Sequence, residues 1–209
     1  MAHAPEKPTS TITGGSASDF FTAQALLSNP DLAFLYTDML IHSPTTIKAA
    51  RSRTGFKKST AYKYANELAE LGVATETDQR EDGAALWETD PITGVWSGDD
   101  EFTLSPTVIA VYGASRVDDD LDLFVDRHGT SALAPAVAET VAYLRGERTR
   151  RGVAAELGVP AAEGIAVSQA IEGIIAVVAD ADPTLQTESF EVETHERVLT
   201  DAPYSRSDE

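Results

Sequence analysis

SPTTIKAARSRTGFKKSTAYKYANELAELGVATETD, residues 43–78, changes its period twice. Ser43-Pro44 interrupts what precedes it. Thr45 to Gly55 then reads as a short helix, capped by Thr45 and stopped by Gly55. A longer helix follows from Lys57 to Leu71, with Ala61, Tyr64, Ala65, Leu68 and Leu71 at the spacing of one buried face. Gly72 sits where a left-handed residue ends a helix, and Val73 to Asp78 alternates like a strand. The charge is as distinctive as the period. Six bases (Lys48, Arg51, Arg53, Lys57, Lys58, Lys63) stand in sixteen positions without one acid. The whole chain carries 34 acids against 16 bases, a net charge of −18.

Upstream, Asn29-Pro30-Asp31 gives a cap, a first-position proline and a dipole-matched acid. Leu32, Leu35, Tyr36, Met39 and Leu40 continue at helical spacing. Downstream, residues 73–78 and 85–90 read as strands joined by the turn QREDG, and residues 92–98 and 101–105 as a second hairpin around Gly98-Asp99-Asp100. Pro106 opens a helix, and further helices follow to about residue 180. The expected organisation is a disordered arm at 1–18, a domain at 19–105 containing the quoted segment, a helical region at 106–182, and a mobile acidic tail at 183–209.

Three helices followed by a two-stranded hairpin is the order of a winged helix-turn-helix. The expected class is therefore mainly α with small β (α+β), continued by a helical region that dimerises. If the third helix buries its apolar face, Lys57, Lys58, Ser59, Thr60, Tyr62, Lys63 and Asn66 are left outward or at its N-terminus. These residue types reach phosphates and base edges, and the helix N-terminus can meet a phosphate. Lys48, Arg51 and Arg53 are placed to grip the backbone. The bland alternative is a solvated basic face.

Residues 43–78 resemble winged helix-turn-helix transcriptional regulators of the archaeal TrmB-like and MarR/ArsR-like kind, with STAYKYANELAELGV matching the recognition helix and its exit. Together with LDLFVDRHGTSALAPAVAETVAYLRGE, the pattern resembles a group of haloarchaeal helix-turn-helix proteins. The resemblance implies a regulator that reads double-stranded DNA with helix 57–71. One departure is the wing tip, TDQREDG, where Asp78, Glu81 and Asp82 surround Arg80. Arg80 is its one expected DNA contact.

Composition narrows the rest. The acid excess, a preference for arginine over lysine, and many small apolar residues resemble proteins of halophilic archaea. There is no cysteine, hence no disulfide or thiolate site. His3, His42, His128 and His195 show no paired zinc spacing, and DDDLD (118–122) lacks the glycine and glutamate of a calcium loop. No phosphate-cradling or nucleophile motif is present, so neither an enzyme nor a cofactor is expected. The polar N-terminus lacks a signal core, and the longest apolar run, residues 174–179, falls short of the ~20 a membrane span needs. A cytoplasmic location without membrane partners is expected.

In the helical region, Leu133, Val137, Val141 and Leu144 recur every three or four residues and are read as a dimer stripe, with plain core as the alternative. A homodimer would present two recognition helices about 34 Å apart. AAELGVP resembles the turn of another helix-turn-helix, but the following helix has no base and is read as a packing element. Arg145, Arg148, Arg150 and Arg151 form a second basic cluster, read as a solvated loop, with an auxiliary phosphate contact as the alternative. Trp87, Trp96 and Tyr112 are read as core rather than as a ligand pocket. Two other functions fit the pattern: a winged-helix scaffold that binds protein, and a plasmid or virus replication or partition factor.

Overall fold

The computed structural model describes residues 11–13, 17–97 and 101–186, with side chains over 21–94 and 103–185. The arm at 1–10 and 14–16, the turn at 98–100, the side chain of Trp96 and the tail at 187–209 lie outside the described residues. The class is α+β, mostly helical with small antiparallel sheets.

After α1 (Ala17–Leu26), α2 (Pro30–Ile41) begins where the sequence places it. Asn29 Oδ1 accepts from the Asp31 and Leu32 amides, and Leu32, Leu35, Tyr36, Met39 and Leu40 are buried. The Tyr36 hydroxyl donates to the Asp90 carbonyl and accepts from the Ile92 amide. Burial pushes this phenol well above its ordinary range.

The next helix starts one residue later than expected. Thr45–Thr46 forms a short strand, β2, and it is Thr46 whose Oγ1 caps α3 (Ile47–Thr54) through the Ala49 amide. Gly55 stops α3 at φ 73°, and α4 (Lys58–Glu70) buries Ala61, Ala65 and Leu68. Strands β3 (Ala74–Glu81) and β4 (Ala84–Thr89) then form a hairpin, and β2 pairs with the free edge of β4. The turn is tighter than QREDG. Asp82 and Gly83 alone form it, both at positive φ, the two-residue Asp-Gly geometry that matches strand twist. Between Glu76↔Trp87 and Arg80↔Ala85 the register slips, and Thr77 Oγ1 satisfies the bulge by donating to the Leu86 carbonyl and accepting from Gln79.

The arm expected to be disordered contributes a strand. In β1 (Thr11–Thr13), a β-branched triplet pairs with the edge of β5 (Gly94–Ser97), which pairs on its other side with β6 (Glu101–Leu104).

The boundary drawn at 105/106 is not a gap in packing. α5 (Pro106–Ala114) is apolar all round, and every one of its residues is buried. It crosses α2 at Gly113, where a Cβ would lie 2.6 Å from the Phe34 nitrogen, so only glycine allows the approach. Beyond it come α6 (Asp119–His128), α7 (Leu133–Leu144), α8 (Arg150–Glu156), α9 (Ala161–Val178) and α10 (Pro183–Gln186). One core runs from Ala23 to Leu185. Asp182, at the edge of the expected tail, is fully buried and caps α5 by accepting from the Thr107 amide and hydroxyl.

The expected dimer stripe is corrected here. Leu133, Val137 and Val141 are buried in this core, and Leu144 packs against it. Most of the stripe is thus used within the chain, as in the plain-core alternative. The segment Ala161–Ala181 is long and apolar enough to cross a membrane by length and composition, although its uninterrupted apolar runs are short. In this fold Val167, Ile171, Ile174, Ile175 and Val178 pack it against α5 to α8.

Candidate nucleic-acid interface

Phe56 fixes how the basic segment leaves the core. It is buried, edge-on to Phe34 at 6.4 Å and to Tyr64 at 5.8 Å. The Arg116 guanidinium lies 4.5 Å from the Phe56 ring and 5.0 Å from that of Phe34, while its Nε donates to Asp31 at 2.6 Å. The next residues, Lys57 and Lys58, are thereby presented at the start of α4 from an anchored turn.

Burial of Ala61, Ala65 and Leu68 decides what faces water. At about 100° per residue the opposite side of α4 carries Ser59, Tyr62, Lys63 and Asn66, and all four are exposed. Thr60 is half-buried. Tyr62 leaves 43 % of its surface in solvent, unusual for a large ring, with the Lys58 ammonium 5.9 Å from its centre. Lys63 reaches over the Tyr64 ring at 5.5 Å. Lys57 occupies the cap position without a side-chain cap hydrogen bond, so among the described residues no side chain caps the first amides of α4. On α3, Lys48 is exposed and Arg51 half-buried.

Two expected contacts have other partners. Arg53 donates from Nε and Nη2 to both oxygens of Asp38, at 2.8 and 2.9 Å, and from Nη2 to Thr45 Oγ1. It braces α3 against α2 and β2, so its fork is not directed outward. The signal was absent from the sequence because Asp38 lies 15 residues upstream. Arg80 pairs with Glu76 at 3.2 Å across the bulge. With Asp78, Glu81 and Asp82 exposed beside it, the hairpin tip is net acidic.

Two members of the second basic cluster, Arg148 and Arg150, are tied into the fold, while Arg145 and Arg151 are exposed. Arg148 meets Glu139 at 2.9 Å and Glu156 at 3.1 Å. Arg150 donates to the Tyr143 hydroxyl and to Glu172 at 2.6 Å, and stacks 4.9 Å from the Tyr143 ring. These contacts hold α8 between α7 and α9. The α8–α9 pair does form a helix–turn–helix, closed where Gly164 meets Ala154. Its second helix has no base, and the carboxylate in its first turn, Glu163, is taken by Arg127 and His128. Trp87 and Tyr112 are core. Asp118 caps α6, so the acidic run there is a helix start. Among the described residues no group of three or more His, Asp or Glu is placed to hold a metal ion.

The model of a family of unknown function (DUF7437) matches residues 115–180, the segment that holds α6 to α9 and begins well after the basic face. No curated protein and no solved structure matches the chain.

Proposed function

We propose that this chain is a transcriptional regulator of winged helix-turn-helix type, with α2, α3 and α4 as its helices and β2, β4 and β3 as its wing sheet. In this reading α4 enters the major groove of double-stranded DNA. The observation that carries it is the unneutralised face of α3 and α4. From Lys48 to Asn66 there is no acid, and Lys48, Lys57, Lys58 and Lys63 form no ion pair among the described residues.

The roles follow from position. Lys57, Lys58 and the uncapped amides of α4 suit a phosphate, with Lys48 and Arg51 gripping the flanking backbone. Asn66 suits the paired donor and acceptor of adenine, and Tyr62 and Ser59 suit a base edge. The acidic wing tip stays off the phosphates. The acid excess suits a salt-rich archaeal cytoplasm. There the screening length is about 3 Å at 1 M salt, so repulsion from the rest of a −18 chain fades and contact charges decide.

The test is binding of the full chain to its own upstream DNA and to random duplex in ~1 M KCl, by fluorescence anisotropy. Wild type should bind the upstream fragment specifically. Lys57→Glu/Lys58→Glu/Lys63→Glu, with unchanged circular dichroism, should lose it. Equal binding by the triple variant, or no binding by wild type at any salt, would overturn the reading.

A further inference from the structure

The outer face of α4 holds a neutral strip between two positive flanks. At about 100° per residue, Tyr62 lies about 40° around the helix from Lys58, Asn66 about 80°, Ser59 about 100° and Lys63 about 140°. An ammonium group thus stands on each side of Ser59, Tyr62 and Asn66. All three are exposed, and among the described residues their hydroxyl and amide groups make no hydrogen bond. Glu67 and Glu70, in the last turn of α4, close the strip. The arrangement matches a major groove, where phosphates border base edges across a width of about 12 Å.

The strip does little for α4 itself. Asparagine is a poor helix former, and a tyrosine with 43 % of its surface in water gains little from burial. Its residue types instead select a base pair. It holds no arginine or lysine, the forked or charged donors that read guanine O6 and N7. The Asn66 amide can donate to adenine N7 and accept from the adenine amino group. The Tyr62 ring is the large apolar group of the strip, and the apolar feature of a major groove is the thymine 5-methyl. The Lys58 ammonium, 5.9 Å from the ring centre, occupies the flank away from Asn66. Tyr62 and Asn66 are four residues apart, about 6 Å along the helix. Base steps are about 3.4 Å, so with α4 lying along the groove the two side chains address pairs one or two steps apart.

We infer that Tyr62 is a specificity-determining residue of this face, packing its ring against the 5-methyl group of a thymine one or two base pairs from the adenine that Asn66 reads. The inference rests on the nucleic-acid reading of α4. It commits that reading to a half-site containing A·T pairs, and to DNA, since uracil carries no such methyl.

The test prepares the upstream duplex twice, once with thymine and once with uracil at every thymine position. This removes the methyl groups and leaves pairing and phosphates in place. Both duplexes are titrated by fluorescence anisotropy with the full chain in ~1 M KCl. Wild type should bind the uracil duplex about fourfold more weakly, the effect of leaving one methyl contact unmade. Tyr62→Ala, a surface change to a better helix former, should bind both duplexes alike. Tyr62→Phe keeps the ring and should keep the preference. Asn66→Ala should weaken binding to both duplexes and keep the preference too. The inference is overturned if wild type binds the thymine duplex specifically yet binds the uracil duplex equally well, or if Tyr62→Ala retains the preference. Failure of wild type to bind any duplex specifically would instead overturn the reading of α4, and this inference with it.

Discussion

Residues 48–63 and 145–151 look alike as strings, with six bases in sixteen positions in one and four arginines in seven in the other. Folded, they part. Arg148 and Arg150 reach Glu139, Glu156 and Glu172 and cross-link three helices. Among the described residues Lys48, Lys57, Lys58 and Lys63 reach no carboxylate. The division extends across the molecule, since Arg53, Arg80, Arg116 and Arg127 each form an ion pair too. A planar guanidinium can donate to a carboxylate and stack on a ring at once, as Arg116 and Arg150 do; an ammonium is a strongly hydrated point charge that stays in water. A basic string is thus a binding surface only where the fold brings no acid back to it. α4 meets that condition because its first acid, Glu67, comes in its third turn.

Charge reversal separates the two clusters most sharply. Lys57→Glu/Lys58→Glu/Lys63→Glu should weaken DNA binding at least roughly a hundredfold and lower the salt slope by about 2–3, while stability stays within about 0.5 kcal/mol. Arg150→Met should do the opposite. It leaves Glu172 mostly buried without its cation and removes a donor from the Tyr143 hydroxyl. Urea unfolding should show a loss of about 2–3 kcal/mol, less than for a fully buried pair, with DNA affinity unchanged. If Arg150→Met weakened binding at equal stability, the second cluster would belong to the interface after all.

How much of this was legible depends on distance along the chain. Asn29-Pro30-Asp31, Gly55 and the Asp82-Gly83 turn act within a few residues, and the sequence located each to within a residue or two. The outward face of α4 was legible for the same reason: the period that buries Ala61, Ala65 and Leu68 leaves Ser59, Tyr62, Lys63 and Asn66 outside. What failed was non-local. Asp38 claims Arg53 across 15 residues, and Asp182 caps Thr107 across 75. The Leu133–Val141 stripe announces an apolar face but does not name what covers it. β1 and β2 are too short to show a period, and only their partner strands define them.

A smaller effect gives stability a handle that binding should not follow. At neutral pH Tyr36→Phe should cost about 1–2 kcal/mol through its lost bonds to Asp90 and Ile92. The wild-type phenol has a second consequence. Up to its ordinary value of 10.0 both folded and unfolded chains keep the Tyr36 proton, and the residue adds no pH dependence. Above it the unfolded chain releases the proton while burial makes the folded chain hold it. Wild-type stability should then fall by up to about 1.4 kcal/mol per pH unit from this residue. Urea midpoints at about pH 7 and pH 11 should show that Tyr36→Phe loses less of its stability on going alkaline, with Tyr112, also raised by burial, supplying part of the remaining slope.

The finest test stays inside the first cluster, where one arginine and one lysine of the same helix should behave as members of different clusters. Arg53→Gln removes a two-pronged pair with Asp38 and should cost about 1–2 kcal/mol of stability. Its DNA affinity should hold once the comparison is made at a temperature where both proteins are fully folded. Lys48→Gln, five positions earlier on α3, should leave the melting curve unchanged and reduce the salt slope of binding by about 1. Equal slopes for Lys48→Gln and wild type would remove α3 from the interface and leave α4 to bind alone. A slope lowered by Arg53→Gln would mean that Asp38 gives up its partner when DNA arrives, so that the arginine exchanges one anion for another.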